Sequence, residues 1–487
     1  MAGPNQEDNM KYIYLIIAIT ISTITADAQN EIDALRYSTN YLSGTARYSA
    51  MGGAFGSLGG ESATLSSNPA GLGMYQFSEF TFSPSLNLNT TRSYYNNSQL
   101  SSYKSSMSIS NLGLVFAMHN ADSEWRRVNI GIGWNQLANY NNEIEITGIN
   151  NDNSIVDNIL EVTNGILTGD LTEGSPYSQM AWETYLINPF ISDTGGLING
   201  QYVSNFSSEA KSQRKVVKNT GGMNELVFSI GSSYQEDIYI GATIGIPTIN
   251  YYEYSEYTED EISDTSNNLR GMLFSEEISA YATGYNLKIG AIYRLSEKIK
   301  IGGAIHTPTF FSLEENYNTS ITTFFKDSTL EYSMGYMSPF NYNLVTPLKA
   351  IVSASTVFNN IIISAEYELI DYTKNKFFTA NFEEENAIIK NIYKKTENIK
   401  IGSELIIKPF VLRAGYAKYG SAFKIKDFSR ENFSYGLGIN TGNYFFDFAY
   451  ILSQSANEHL LYSEEYIAPI DLATTNHSLL FTVGFRY

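Results

Sequence analysis

The chain reads as an all-β protein, an antiparallel transmembrane β-barrel of about 14 strands with an N-terminal hatch in its lumen. Three observations predict this. The C-terminal residues alternate, with Leu479, Phe481, Val483, Phe485 and Tyr487 on one face and Ser478, Thr482, Gly484 and Arg486 on the other. Such a strand has one apolar face, as a soluble sheet or a barrel stave would. Composition favours the barrel: 37 Tyr and 27 Phe, only 11 Pro and no Cys in 487 residues, at a mean hydropathy of −0.19. That aromatic load suits strands half apolar and half polar. The third observation is the rhythm of connections, which alternate short and long as periplasmic turns and outer loops do.

From the N-terminus, Lys11 precedes an apolar run over residues 12–24, and Ala26-Asp27-Ala28 offers a cleavage site before Gln29. The run has the length of a signal-peptide core and is too short to span a bilayer as a helix. Residues 10–28 are therefore expected to be an export signal. Residues 1–9 carry no positive charge ahead of Met10, as an upstream start or an added extension would. No cysteine follows the cleavage site to carry a lipid, and none is present for an oxidising compartment to cross-link.

Residues 29–75 form the expected hatch. Small residues are dense here, including Gly52, Gly53, Gly56, Gly59 and Gly60 among Ala46, Ala50, Ala54 and Ala63, and no period-two run occurs. A segment this short cannot make its own core and must pack on something, for which the lumen is available. Asn68-Pro69-Ala70-Gly71 closes it. Pro69 fixes its own φ and pushes Asn68 out of the helical region, while Ala70 and Gly71 permit close approach to a wall. An ordinary tight turn leading into the first stave fits the same residues.

Residues 76–487 form the barrel. Period-two segments fall near 77–90, 106–118, 126–140, 222–235, 237–254, 280–294, 298–310, 341–356, 360–373, 397–408, 410–419, 432–441, 443–453 and 476–487. Tight links are expected at Gln235-Glu236-Asp237, Ser296-Glu297, Asn359, Lys408-Pro409 and Thr441-Gly442-Asn443, and long ones at 91–105, 141–221, 255–279, 311–340, 374–396, 420–431 and 454–475. Both termini then fall on the short-turn, periplasmic side. The pair Ile230-Gly231 to Pro247 and Ile289-Gly290 to Pro308 repeats one hairpin pattern. Outward faces carry Ile361, Ile363, Tyr367, Phe410, Leu412, Tyr444 and Phe446, while Glu366, Glu368, Lys400, Glu404, Arg413, Asp447, Arg486, Lys288, Arg294 and Lys300 point inward. That mixed set is either a paired network gripping the plug or a ligand-reading surface; on the second reading Lys288, Lys300 and Arg413 are the binding residues. In the 141–221 loop, Tyr177, Met180, Ala181 and Tyr185 share a face of a helix bounded by Pro176 and Pro189.

The N-terminal segment resembles the FadL-type family of outer-membrane channels for long-chain fatty acids and other hydrophobic compounds. The likeness rests on Ala34-Leu35-Arg36-Tyr37-Ser38, on residues 46–55 and on Asn68-Pro69-Ala70, which matches the family's hatch motif. The resemblance implies a fourteen-stranded barrel with the hatch in its lumen. It also implies passive uptake of a hydrophobic small molecule through hatch movement, often with lateral exit into outer-membrane lipid. A C-terminal strand of this kind implies the barrel-assembly machinery as a partner. A second reading makes the shell a scaffold that docks secreted or surface proteins.

Other chemistry finds no support. A formal charge of −19 repels nucleic acid. The acidic stretch around Glu253 to Glu277 lacks EF-hand spacing. His119, His306, His459 and His477 are dispersed, and no nucleophile elbow or phosphate loop occurs, so no enzyme, metal or cofactor is expected.

Overall fold

The computed structural model describes residues 31–120, 122–173, 175–193, 195–206, 210–262, 268–335, 339–379 and 382–487. The expected signal at 10–28, and Gln29, lie outside them. Fourteen antiparallel staves close into one barrel. They are β1 (Glu79–Tyr95), β2 (Ser98–Phe116), β3 (Trp125–Asn139, carried on by Asn142–Asn150), β4 (Lys211–Tyr234), β5 (Ile238–Glu261), β6 (Leu269–Arg294) and β7 (Ile299–His306, carried on by Phe310–Phe325). Then follow β8 (Phe340–Val345 and Lys349–Phe358), β9 (Ile361–Asp371), β10 (Lys395–Ile407), β11 (Phe410–Tyr419), β12 (Arg430–Asn440), β13 (Tyr444–His459) and β14 (Ile470–Arg486). Closure comes from β1 against β14, in register from Glu79↔Arg486 to Tyr94↔Asp471. The period-two pattern sets the facing: Ile361, Ile363, Phe410, Leu412, Tyr444 and Phe446 are exposed, while Glu366, Lys400, Arg413 and Asp447 are buried. Among the described residues no helix is long and apolar enough to cross a membrane.

Several expected loops are strand. Residues 91–105 form the tips of β1 and β2, joined at Asn96 and Asn97 with φ of 41° and 63°. Two left-handed residues make the turn whose twist matches a hairpin, and asparagine enters that region at little cost. Likewise β5 and β6 stay paired up to Asp260↔Gly271. Beyond the apolar band both faces of a stave are polar, so alternation fades while the ladder continues.

At the long-loop end a helical cap covers the barrel. Two short helices of the N-terminal segment, α1 (Glu31–Arg36) and α2 (Ala46–Ala50), come first in the chain; the cap helices α3 (Ile155–Thr163) and α4 (Pro176–Glu183) and the hairpin Ile187–Ile191/Leu197–Ser204 bury Val156, Met180, Ala181 and Leu186 against the tops of β4 to β7. Tyr177 packs there as expected, but Tyr185 falls beyond the helix with φ 54° and is exposed. The anchor is Glu259 of β5, which is fully buried. It accepts from Ser154 Oγ, Tyr257 OH, Ile155 N at 2.9 Å and Gln213 Nε2 at 2.9 Å. Ser154 is also the N-cap of α3, so this carboxylate ties the helix start to the wall. Substituting Glu259→Ala strands these donors at about 1–3 kcal/mol each; the expected result is faster amide exchange in α3 with the staves unchanged.

Beneath the cap, Tyr37, Tyr140 and Tyr251 pack edge to face with centroids 5.5 to 6.4 Å apart. Residues 31–37 thus lie in the long-loop half, where Glu31 O accepts from Tyr393 OH at 2.8 Å. Tyr487 ends at the other end, against Ser78. From residue 31 the segment therefore descends through the lumen before entering β1.

Candidate functional site: the N-terminal segment and the wall around it

The segment from Gly44 to Tyr75 packs on inward-facing residues of the staves, and the wall is shaped to receive it. At Gly241 of β5 and Gly290 of β6 an added Cβ would run into Pro69 O and Asn68 Oδ1 respectively. Only a residue without a side chain allows that approach. These glycines belong to the repeated Ile-Gly hairpins, which is the physical meaning of that repeat.

Asn68 caps the 3-10 helix Pro69–Met74, accepting from Ala70 N at 3.1 Å. Its amide nitrogen donates to Gly56 O within the segment, and to Gly303 O at 3.3 Å and Ala291 O at 3.4 Å in the wall. His306 Nε2 donates to Ser67 O at 2.6 Å. Gly71 lies against Thr64 and Gly59, inside the segment's own fold. Asn68, Pro69 and Ala70 thus share one seat on β5, β6 and β7, while Gly71 faces the segment itself.

Charge completes the attachment. Arg47 of the segment meets Glu404 through Nε at 2.9 Å and Nη2 at 3.1 Å. Arg413 meets the same carboxylate at 2.6 Å and Asp447 at 2.6 Å. Gly56 N donates to Glu366 at 2.8 Å, and Lys400 bridges Glu366 and Glu368 at 2.9 and 3.0 Å. Burial pushes the Glu61 carboxyl of the segment up to about 7, against the pull of Arg47 and of the Thr45 hydroxyl. Lys288 pairs with buried Glu225, which also accepts from Ser66 Oγ at 2.7 Å, and Lys300 donates to Leu58 O at 3.1 Å. Lys288, Lys300 and Arg413 therefore sit at three separate places, each with a protein partner, and do not converge. Arg47 and Glu225 escaped the sequence reading: Arg47 lies in a stretch without period, and Glu225 at the start of a stave whose facing was not assigned.

The wall is incomplete at one place. The β1–β2 ladder runs to Tyr95↔Ser98, but β2 and β3 pair only from Phe116↔Ile130 to Asn111↔Asn135. Past that point the extension of β3 crosses inside the β1–β2 hairpin, where Asn89 Nδ2 and Thr91 Oγ1 donate to Asn142 Oδ1 at 3.0 and 2.9 Å. The edge of β2 from Ser98 to Ser110 has no neighbouring stave among the described residues, and Met107 is 81% exposed. A cavity of about 100 Å³ lies inside this region, between Tyr41-Leu42-Ser43 and the inner faces of β1, β2, β3, β13 and β14.

Among the described residues no group of three His, Asp or Glu side chains could hold a metal ion. No protein-family model matches the chain, and no curated protein is significantly similar in sequence. Solved structures are similar in fold. The toluene transporter TodX of P. putida aligns with a TM-score of 0.53 at 12% identity, over 92% of this chain and 99% of its own. A FadL homologue of Pseudomonas aeruginosa aligns with a TM-score of 0.51 at 11% identity, over 92% and 99%. The closed barrel of fourteen staves, its N-terminal segment and these alignments together give the chain the fold of the FadL-type outer-membrane channels.

Proposed function

We propose that the chain is a passive outer-membrane channel for small hydrophobic or amphipathic molecules, long-chain fatty acids being the first class to test. In this reading residues 29–75 are its hatch and the break between β2 and β3 is its exit. The observation that supports it best is that break. An unpaired strand edge facing hydrocarbon is costly, since nothing there replaces the lost hydrogen bonds. A barrel that keeps one beside an internal cavity has a use for it. The long-loop end is then outside, and Lys288, Lys300 and Arg413 hold the wall and hatch together instead of reading a ligand. No step in this reading needs an enzyme, a cofactor or a metal.

Because the chain has no cysteine, a single engineered pair tests hatch movement cleanly. Ser62 Oγ of the hatch lies 2.8 Å from Thr81 Oγ1 of β1, so the two side chains meet across the boundary between hatch and wall. With Ser62→Cys and Thr81→Cys, uptake of a labelled fatty acid or of toluene into lipopolysaccharide-bearing proteoliposomes is expected to stop on oxidation and return on reduction. Equal uptake in both states argues for a fixed hatch. The scaffold reading draws on the cap hairpin, where Ile191 and Leu197 are 61% and 69% exposed. Deleting residues 187–204 separates the two, because a scaffold loses its surface partner while a channel keeps its flux.

A further inference from the structure

The cavity beside the hatch is not the greasy pocket that a hydrocarbon would select. Across four adjacent staves one inward row reads Asn89 of β1, Asn476 of β14, Ser453 of β13 and Asn432 of β12, each directly opposite the next. The first three line the cavity. Asn89 Oδ1, Asn476 Oδ1 and Asn432 Nδ2 are buried without a hydrogen-bond partner, and Asn432 as a whole is 1% exposed. The row thus offers the cavity two acceptors, with the Asn432 donor beyond its lining. Nearer the short turns the same faces change to Ile451, one inward step on, and Leu480, two steps on past Ser478, which pack with Leu42, Ala46 and Ala50 of the hatch. The nearby cation, Arg430, is engaged: its guanidinium lies 4.3 Å over the Tyr41 ring and donates to Asn432 Oδ1 at 3.4 Å.

We infer that this cavity binds a neutral, amphipathic small molecule, with a hydroxyl or amide head on the asparagine row and a short apolar body against Ile451, Leu480 and Leu42. The inference rests on the channel reading and narrows its cargo. A bare hydrocarbon leaves the two amide oxygens unpartnered, whereas a hydroxyl donates to one and a primary amide to both, and a site built for such a group discriminates strongly against the analogue lacking it. A carboxylate meets two amide oxygens, and the cation nearest to it, Arg430, is stacked on Tyr41. Size limits the body: about 100 Å³ takes a short chain or the head of a longer molecule.

The test uses the purified full chain in detergent, with 1-butanol, butyrate and n-pentane as probes followed by saturation-transfer NMR. Butanol is expected to bind about tenfold more tightly than either of the others. Asn89→Leu with Asn476→Leu is expected to abolish that preference, with heat-sensitive gel mobility confirming a folded barrel. Ser455→Leu, at the partly exposed rim of the same cavity, is the milder second variant and is expected to weaken butanol binding alone. Pentane or butyrate binding as well as butanol, or a preference that survives the asparagine substitutions, overturns the assignment. Flux of the same probes into lipopolysaccharide-bearing vesicles separates the two levels. Equal flux of all three without selective binding discards this ligand class and leaves the channel standing, while no flux of any discards the channel and this inference with it.

Discussion

Substituting Gly290→Ala is expected to unseat the proposed hatch and to raise conductance through the barrel. The added methyl falls on the Asn68 side chain, with Pro69 Cδ 3.2 Å away, and that side chain cannot swing aside without giving up its bonds to Ala70 N, Gly56 O and the wall carbonyls of Ala291 and Gly303. Overpacking of this kind costs about 1–3 kcal/mol. At about 1.4 kcal/mol per factor of ten, the ratio of seated to unseated hatch falls by roughly five-fold to more than a hundred-fold. Gly241→Ala acts in the same direction, because its methyl meets the Pro69 carbonyl. The control is Gly303→Ala, where the added atom meets only Ile351 O at 3.4 Å, an ordinary contact. Planar-bilayer recordings and limited proteolysis of residues 44–75 read the outcome. If Gly290→Ala and Gly303→Ala behave alike, the seat does not control the hatch.

How much of this was legible follows from which residues carry a period. The staves were, because alternation between a lipid-side Ile363 and a lumen-side Glu366 is enforced at every step by burial, and a slip of one residue would invert the whole strand. Strand ends were not: Asn96-Asn97 is a turn between two polar stretches, and nothing in Ser and Asn residues distinguishes a paired strand from a loop. The motif residues were legible as a turn and a close approach, and the seat at Gly241 and Gly290 was visible as a repeat without its meaning. The inward charges were legible as a set but not as pairs. Pairing depends on Arg47, which reaches Glu404 across 357 positions of sequence. The asparagine row was invisible, since Asn89, Asn432 and Asn476 become neighbours only when β1 closes on β14. Closure is the step that no local pattern encodes, and it is where the hatch network and the cavity both arise.

Glu404→Ala has the largest expected effect on stability, and its location separates wall from hatch. The carboxylate serves two guanidinium groups, one from each, and removing it leaves both short of a counter-charge. Breaking a buried pair in this way costs about 3–5 kcal/mol. The lower end is expected here, because Arg413 retains Asp447 at 2.6 Å and Arg47 retains Glu61 at 3.8 Å. Glu404→Gln keeps the shape and one acceptor and falls between the variant and the parent. Arg413→Met removes a charge from the wall without touching Arg47, so it lowers the temperature at which the barrel loses its folded gel mobility while the hatch stays attached. Only Glu404→Ala is expected to speed amide exchange in residues 46–58 at temperatures where the staves remain protected. Equal exchange there in the two variants would mean that the Arg47 bridge adds nothing to the grip of the glycine seats, and that the hatch is held by shape alone.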